Sequence, residues 1–142
     1  SNYFGAIVKY SKRNDYSVFH FMPNKDPGGI NIETFIKQHQ FKYFDGIYEN
    51  LPPHDFINLL YHAKMIVGNS SAGIREAAVT VTKAINVGLR QEGRLHSPNL
   101  LQASFNEEDI LDCMNAKMDL DYDQDEYIEG ASDRIARRIM SL

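Results

Sequence analysis

The residues from Gly68 to Gly73, Gly-Asn-Ser-Ser-Ala-Gly, are the stretch of this chain best suited to hold an anion. Ahead of them the short apolar run Met65 to Val67 reads as a buried strand, and the Ala-rich segment behind them reads as a helix. The turn between strand and helix is built from residues with little or no side chain. A phosphate could therefore approach the free backbone N–H groups and the positive end of the new helix. The same residues also suit an ordinary N-capped helix, with Ser70 or Ser71 as the cap. The turn alone does not separate these readings.

The elements that must position this turn follow from hydrophobic spacing. Phe4, Ile7 and Val8 mark one face of a first helix, closed by the polar turn Lys12 to Asp15. Tyr16 to Met22 alternates aromatic and β-branched residues, as a strand does, and runs into the loop Asn24-Lys25-Asp26-Pro27-Gly28-Gly29. Loops at strand carboxyl ends are where open α/β sheets take ligands, so Asn24 is a candidate ligand contact as well as an Asx-turn residue. Ile32 to His39 has helical spacing and Phe41 to Tyr48 reads as a second strand. Pro52-Pro53 then opens a helix with Phe56, Ile57, Leu59 and Leu60 inward.

Beyond the central turn, Lys83 to Gly88 reads as a buried strand ending in the loop Leu89 to His96, and Asn99 to Gln102 as one more strand. Asn106-Glu107-Glu108-Asp109 caps a helix expected to reach about Met118. Residues 119–130 form an acidic linker, and Ala131 to Leu142 a last amphipathic helix. Strands alternating with helices of this length predict an α/β fold, a Rossmann-like parallel sheet with helices on both faces.

Composition narrows the function classes. At 142 residues, 43% hydrophobic and 24% charged, the chain fits one globular domain. The longest apolar runs span only a few residues and no signal-peptide pattern opens the chain, so the expected location is the cytoplasm, with no membrane span. Of the nineteen acids, ten lie between Glu107 and Glu129, which leaves residues 1 to 105 mildly basic. That balance suits a small anionic ligand and is too weak for a nucleic-acid footprint. The lone Cys113 cannot form an internal disulfide. The acids of Asp119 to Glu126 imitate the start of a calcium loop, yet Gln124 stands at its sixth position and Gly130 at its twelfth, where Gly and Glu are required. His54 and His62 lack partners at metal-ligand spacing.

Two strings taken together, Asn69-Ser70-Ser71-Ala72-Gly73-Ile74-Arg75-Glu76 and Ile85-Asn86-Val87-Gly88-Leu89-Arg90-Gln91-Glu92-Gly93-Arg94, resemble the hydrolysing UDP-N-acetylglucosamine 2-epimerases in spacing as well as type. The similarity takes in Pro23 to Asp26 and Asn50 to Phe56 and covers about residues 17 to 140. It implies a GT-B enzyme, two Rossmann-like domains facing a cleft, with residues 1–142 as its C-terminal, nucleotide-binding domain. Such enzymes convert UDP-N-acetylglucosamine and water into UDP and N-acetylmannosamine for sialic-acid-type sugars. The route is elimination of UDP to a glycal-like intermediate, then addition of water with inversion at C2.

Carried over by position, the resemblance implies that Ser70 and Ser71 hold the diphosphate, and that Ala72 and Gly73 let it come close. Glu76 would grip the ribose hydroxyls, a task for an ionised carboxylate, which accepts two hydrogen bonds. Arg90 would meet the phosphates and neutralise the charge on departing UDP. Leu51 would contact uracil through its main chain, and Asn24 matches a ligand-contacting asparagine. Gln91 and Arg94 would stand at the rim of the cleft. No metal or cofactor is implied.

Two departures stand out. Thr82 and Ala84 occupy places where the family often has glycine and proline. The acids and histidine that the family uses for proton transfer on the sugar lie in its N-terminal half or near the junction of the two domains and have no counterpart here. The chain alone is therefore expected to bind UDP or UDP-N-acetylglucosamine without turnover, with an N-terminal domain as its partner and a homodimer as a possible assembly. Two alternatives share the nucleotide logic, the donor-binding half of a GT-B glycosyltransferase and a non-catalytic nucleotide-sugar module.

Overall fold

The computed structural model describes residues 2–21, 44–49, 51–88, 97–125 and 127, with Asn2, Ser71 and Ala72 as backbone alone. The helices expected over 32–39 and 131–142, the loops 24–29 and 89–96, and Met22 and residues 41–43 of the expected strands lie outside the described residues. Contacts divide the chain into two units, one of residues 4–51 and one of residues 1–3 with 52–142.

In the smaller unit, helix α1 (Asn2–Asn14) buries Phe4, Ala6 and Tyr10. It ends where Asp15 takes a left-handed conformation, φ 56°, and the Tyr16 N–H returns to the Ser11 carbonyl at 2.9 Å. Tyr16 also stacks on Tyr10, with ring centroids 6.0 Å apart. These bonds keep Tyr16 out of the strand the alternation predicts, and β1 is only Phe19–Phe21. It pairs in parallel with β2 (Gly46–Tyr48), Phe19 opposite Gly46. Asp45 joins the strand entrances: its N–H donates to the Val18 carbonyl at 2.8 Å and its carboxylate accepts from the Val18 N–H at 2.6 Å.

His20 sits among aromatic rings, its centroid 5.9 Å from Phe4 and 5.2 Å from Phe44. Its Nε2 is buried without a hydrogen-bond partner, and burial pushes its pKa down to about 4. The unfolded chain takes up a proton near 6.5 that the folded state refuses, so the stability this group confers is present above 6.5 and is lost as pH falls towards 4. Exchanging His20 for phenylalanine should flatten that acid limb in urea titrations between pH 4 and 7. An unchanged slope would count against a neutral, ring-packed histidine.

The larger unit is built on a three-stranded parallel sheet in the order β3 (Met65–Gly68), β4 (Lys83–Val87), β5 (Leu100–Ala103). Helix α2 (Pro53–His62) begins as its prolines dictate, with Pro52 at the cap and its carbonyl accepting from the Asp55 and Phe56 N–H groups. Helix α3 (Ser71–Thr80) packs on one sheet face, where Ile74 and Ala77 meet Ala84, Ile66 and Leu100. These three strand residues share one register row. Every residue of β4 is buried, as a central strand requires.

Helix α4 (Glu107–Asn115) packs against β4 and β5. Lys83 ties it to the face opposite α3, since strand side chains alternate and Lys83 neighbours Ala84. Its buried ammonium donates to the carbonyls of Met114 at 2.9 Å and Ala116 at 2.7 Å, the acceptors left open at a helix carboxyl end. This ends α4 at Asn115, three residues short of Met118. Asn106 caps the other end as its sequence suggests, accepting from the Glu108 and Asp109 N–H groups. With a helix on each face of a parallel sheet, the unit is Rossmann-like.

Candidate functional site

Helix α3 leaves β3 through Gly68, Asn69 and Ser70, at the carboxyl end of the sheet. Ser70 holds the cap position in extended conformation, φ −78° and ψ 116°, yet its side chain makes no capping hydrogen bond. The first helical bond runs from the Ile74 N–H to the Ser70 carbonyl at 3.1 Å. The N–H groups of Ser71, Ala72 and Gly73 thus precede the first intrahelical donor, and the exposed Ser70 stands beside them. Three convergent donors and the helix dipole favour a negatively charged group. Tyr3, grouped with this unit, donates its hydroxyl to the Val67 carbonyl at 2.8 Å and lies 3.8 Å from where a Gly68 side chain would begin.

Gly73 is placed differently from the approach its sequence suggests. It is buried, and a Cβ there would lie 3.0 Å from Ile66 Cδ1 and 3.7 Å from Phe56 Cζ. Its missing side chain lets α3 pack closely on β3, and what it can offer a ligand is its N–H.

Glu76 lies six residues beyond the cap, half-buried. Burial raises its carboxyl pKa to about 7, and no ion pair to it is found among the described residues. A carboxyl of that kind can take hydrogen bonds from a diol once ionised. Leu51, half-buried, belongs to the unit of residues 4–51. Asn24, Arg90, Gln91 and Arg94 lie outside the described residues. Ser70, Ser71, Gly73 and Glu76 are therefore the expected site residues that one element carries together.

Sequence reading passed over one polar pair. Asn86, only 1% exposed, donates from Nδ2 to Gln102 Oε1 at 2.8 Å, and Gln102 Nε2 donates to the Gly88 carbonyl. Its signal is in the sequence: an amide among the apolar residues Ala84, Ile85 and Val87 of a buried strand needs a partner. Gly88 itself is left-handed, φ 92°, with the Phe105 ring against it. Among the described residues no three His, Cys, Asp or Glu side chains are grouped to hold a metal ion, and no helix is long and apolar enough to cross a membrane.

A parallel sheet whose strand opens into a helix through small residues defines a Rossmann-like domain of the kind that forms one half of a GT-B enzyme. The family model described as UDP-N-acetylglucosamine 2-epimerase matches residues 1–140. The chain belongs to that family. It is 31% identical over 135 residues to a UDP-N-acetylglucosamine 2-epimerase of Neisseria meningitidis serogroup B, a match covering 94% of this chain and 34% of the relative. It is 35% identical over 109 residues to a GDP/UDP-N,N'-diacetylbacillosamine 2-epimerase (hydrolyzing) of Campylobacter jejuni, covering 72% and 27% of the two. A UDP-N,N'-diacetylbacillosamine 2-epimerase (hydrolyzing) of Legionella pneumophila is 30% identical over 108 residues, covering 76% and 29%. The chain thus spans about a third or less of the length of these relatives.

Proposed function

We propose that this chain is the C-terminal, UDP-holding part of a hydrolysing UDP-N-acetylglucosamine 2-epimerase, acting in the cytoplasm in sialic-acid-type sugar synthesis. The observation that carries the reading is the mouth of α3, where the Ser70 hydroxyl makes no capping bond and three N–H groups precede the first helical donor, that of Ile74. In this reading those donors hold the diphosphate, with Arg90 supplying the opposing charge. Glu76 takes the ribose hydroxyls, while Leu51 and Asn24 contribute from earlier in the chain. Stabilising UDP as it accumulates charge is the part of the elimination these residues can perform. Proton transfer on the sugar belongs to an N-terminal domain, so the isolated chain binds UDP and does not turn over. A homodimer is the expected assembly of the complete enzyme.

A second sugar is favoured by two of the relatives, whose names give a diacetylbacillosamine nucleotide as substrate. Full-length protein should release UDP and N-acetylmannosamine from UDP-N-acetylglucosamine in water, whereas the isolated 142 residues should give a UDP binding isotherm and no product. Release from the diacetylbacillosamine nucleotide alone would move the assignment to that sugar. Transfer only to an added acceptor would point to a glycosyltransferase, and no UDP binding at all would overturn the reading.

A further inference from the structure

Gly68, Asn86 and Gln102 form one register row across the three strands, at the carboxyl end of the sheet. Two residues earlier, the row Ile66, Ala84, Leu100 faces α3, so this row lies on the α3 side as well. Gly68 contributes no side chain to it. Asn86 is therefore flanked by Gln102 on one side and on the other by Gly68, where the Tyr3 hydroxyl lies 3.8 Å from the place a side chain would begin and the chain starts its turn into α3.

The polarity of this row is determined by one group. The Gly88 carbonyl can only accept, so Gln102 must present Nε2 to it and Oε1 to Asn86. Asn86 must then spend its Nδ2 on Gln102. Its Oδ1 is left buried with no hydrogen-bond partner, a position that costs free energy until a donor arrives. A diphosphate at neutral pH is an acceptor and cannot serve. Ribose hydroxyls, sugar hydroxyls and an acetamido N–H can.

We propose that Asn86 Oδ1 is a ligand acceptor beside the anion cradle, receiving a hydroxyl or N–H from the sugar portion of the nucleotide sugar, and that Gln102 is the positioning residue that holds the amide so that this oxygen is free to accept. The inference rests on the nucleotide-sugar reading above. It adds a contact on β4, separate from the N–H groups and hydroxyls of α3, that discriminates a sugar-bearing ligand from a bare phosphate. Gln102 is exposed, so its replacement leaves the core intact.

The test is calorimetric titration of full-length protein with two probes, UDP-N-acetylglucosamine and inorganic pyrophosphate. Gln102→Leu frees the Asn86 amide to rotate, and Asn86→Leu deletes the acceptor at similar volume. Each should weaken the nucleotide sugar about tenfold, the worth of one oriented hydrogen bond, while pyrophosphate changes less than twofold. Gln102→His, which retains one donor and one acceptor nitrogen, should recover part of the loss. Equal weakening of both probes would reduce the pair to a structural tie and overturn the proposal. Unchanged affinity for both would overturn it too and leave the nucleotide reading intact, whereas failure of the unsubstituted protein to bind the nucleotide sugar would remove both.

Discussion

Replacing Ile85 with alanine is expected to lower the free energy of unfolding by about 3 to 4 kcal/mol, read as a shift in the urea midpoint of the 142-residue chain. Ile85 is fully buried in the middle of β4, the central strand of the larger unit, and every neighbour along that strand is buried too. Its side chain shares the sheet face of Lys83, the face that α4 covers. The methylenes removed lose their transfer free energy, and a site enclosed by a strand on each side has little freedom to collapse around the gap. Domains of this size have about 5 to 15 kcal/mol in total, so the variant should lose between about a fifth and four-fifths of its stability. A change below about 1 kcal/mol would mean that α4 moves in to refill the space.

Glu76→Ala should weaken UDP about a hundredfold, because a carboxylate gripping a ribose diol makes two charge-assisted hydrogen bonds, together roughly 3 kcal/mol. The raised pKa adds a more specific signature. With the carboxyl at about 7, the accepting form develops only as pH passes through neutrality, so UDP should bind up to about tenfold more tightly at pH 8 than at pH 6. The phosphates titrate too, and Glu76→Gln, which shares that background, should lose the protein's part of the slope. Stability moves the opposite way. The folded state keeps a proton that the unfolded chain releases near 4.5, so this carboxyl's contribution is complete below 4.5 and is lost as pH rises through 7. Parallel pH profiles for wild type and Glu76→Gln, in both binding and unfolding, would dismiss the assignment.

The elements legible in the sequence are those whose signals are local. Pro52-Pro53 opens α2, Asn106 caps α4, and the apolar run at Met65 begins β3, each within a residue of expectation. Errors arose where a distant group decides. Tyr16 has the right spacing for a strand, but its bond to Ser11 and its stacking on Tyr10 hold it to α1. The end of α4 depends on Lys83, more than thirty residues earlier in the chain. At the site, the small residues of the turn suit an anion as well as an ordinary helix cap, and it is the family resemblance that singles out Glu76. That Gly73 serves packing against Ile66 is a tertiary fact, and so is the row that leaves Asn86 Oδ1 unpaired.

The two ends of the larger sheet are held very differently. At its amino end, Lys83 reaches two helix carbonyls, Asn99 Nδ2 bonds the Thr82 carbonyl at 2.7 Å, and the Thr82 hydroxyl bonds the Leu60 carbonyl at 2.8 Å. At the carboxyl end, among the described residues, the Tyr3 hydroxyl bonds the Val67 carbonyl, Asn86 and Gln102 tie β4 to β5, and the Phe105 ring lies against Gly88. The ties made by Lys83, Thr82 and Asn99 thus lie at the opposite end of the strands from the turn into α3, so a substitution in that turn leaves this polar clasp of the domain untouched.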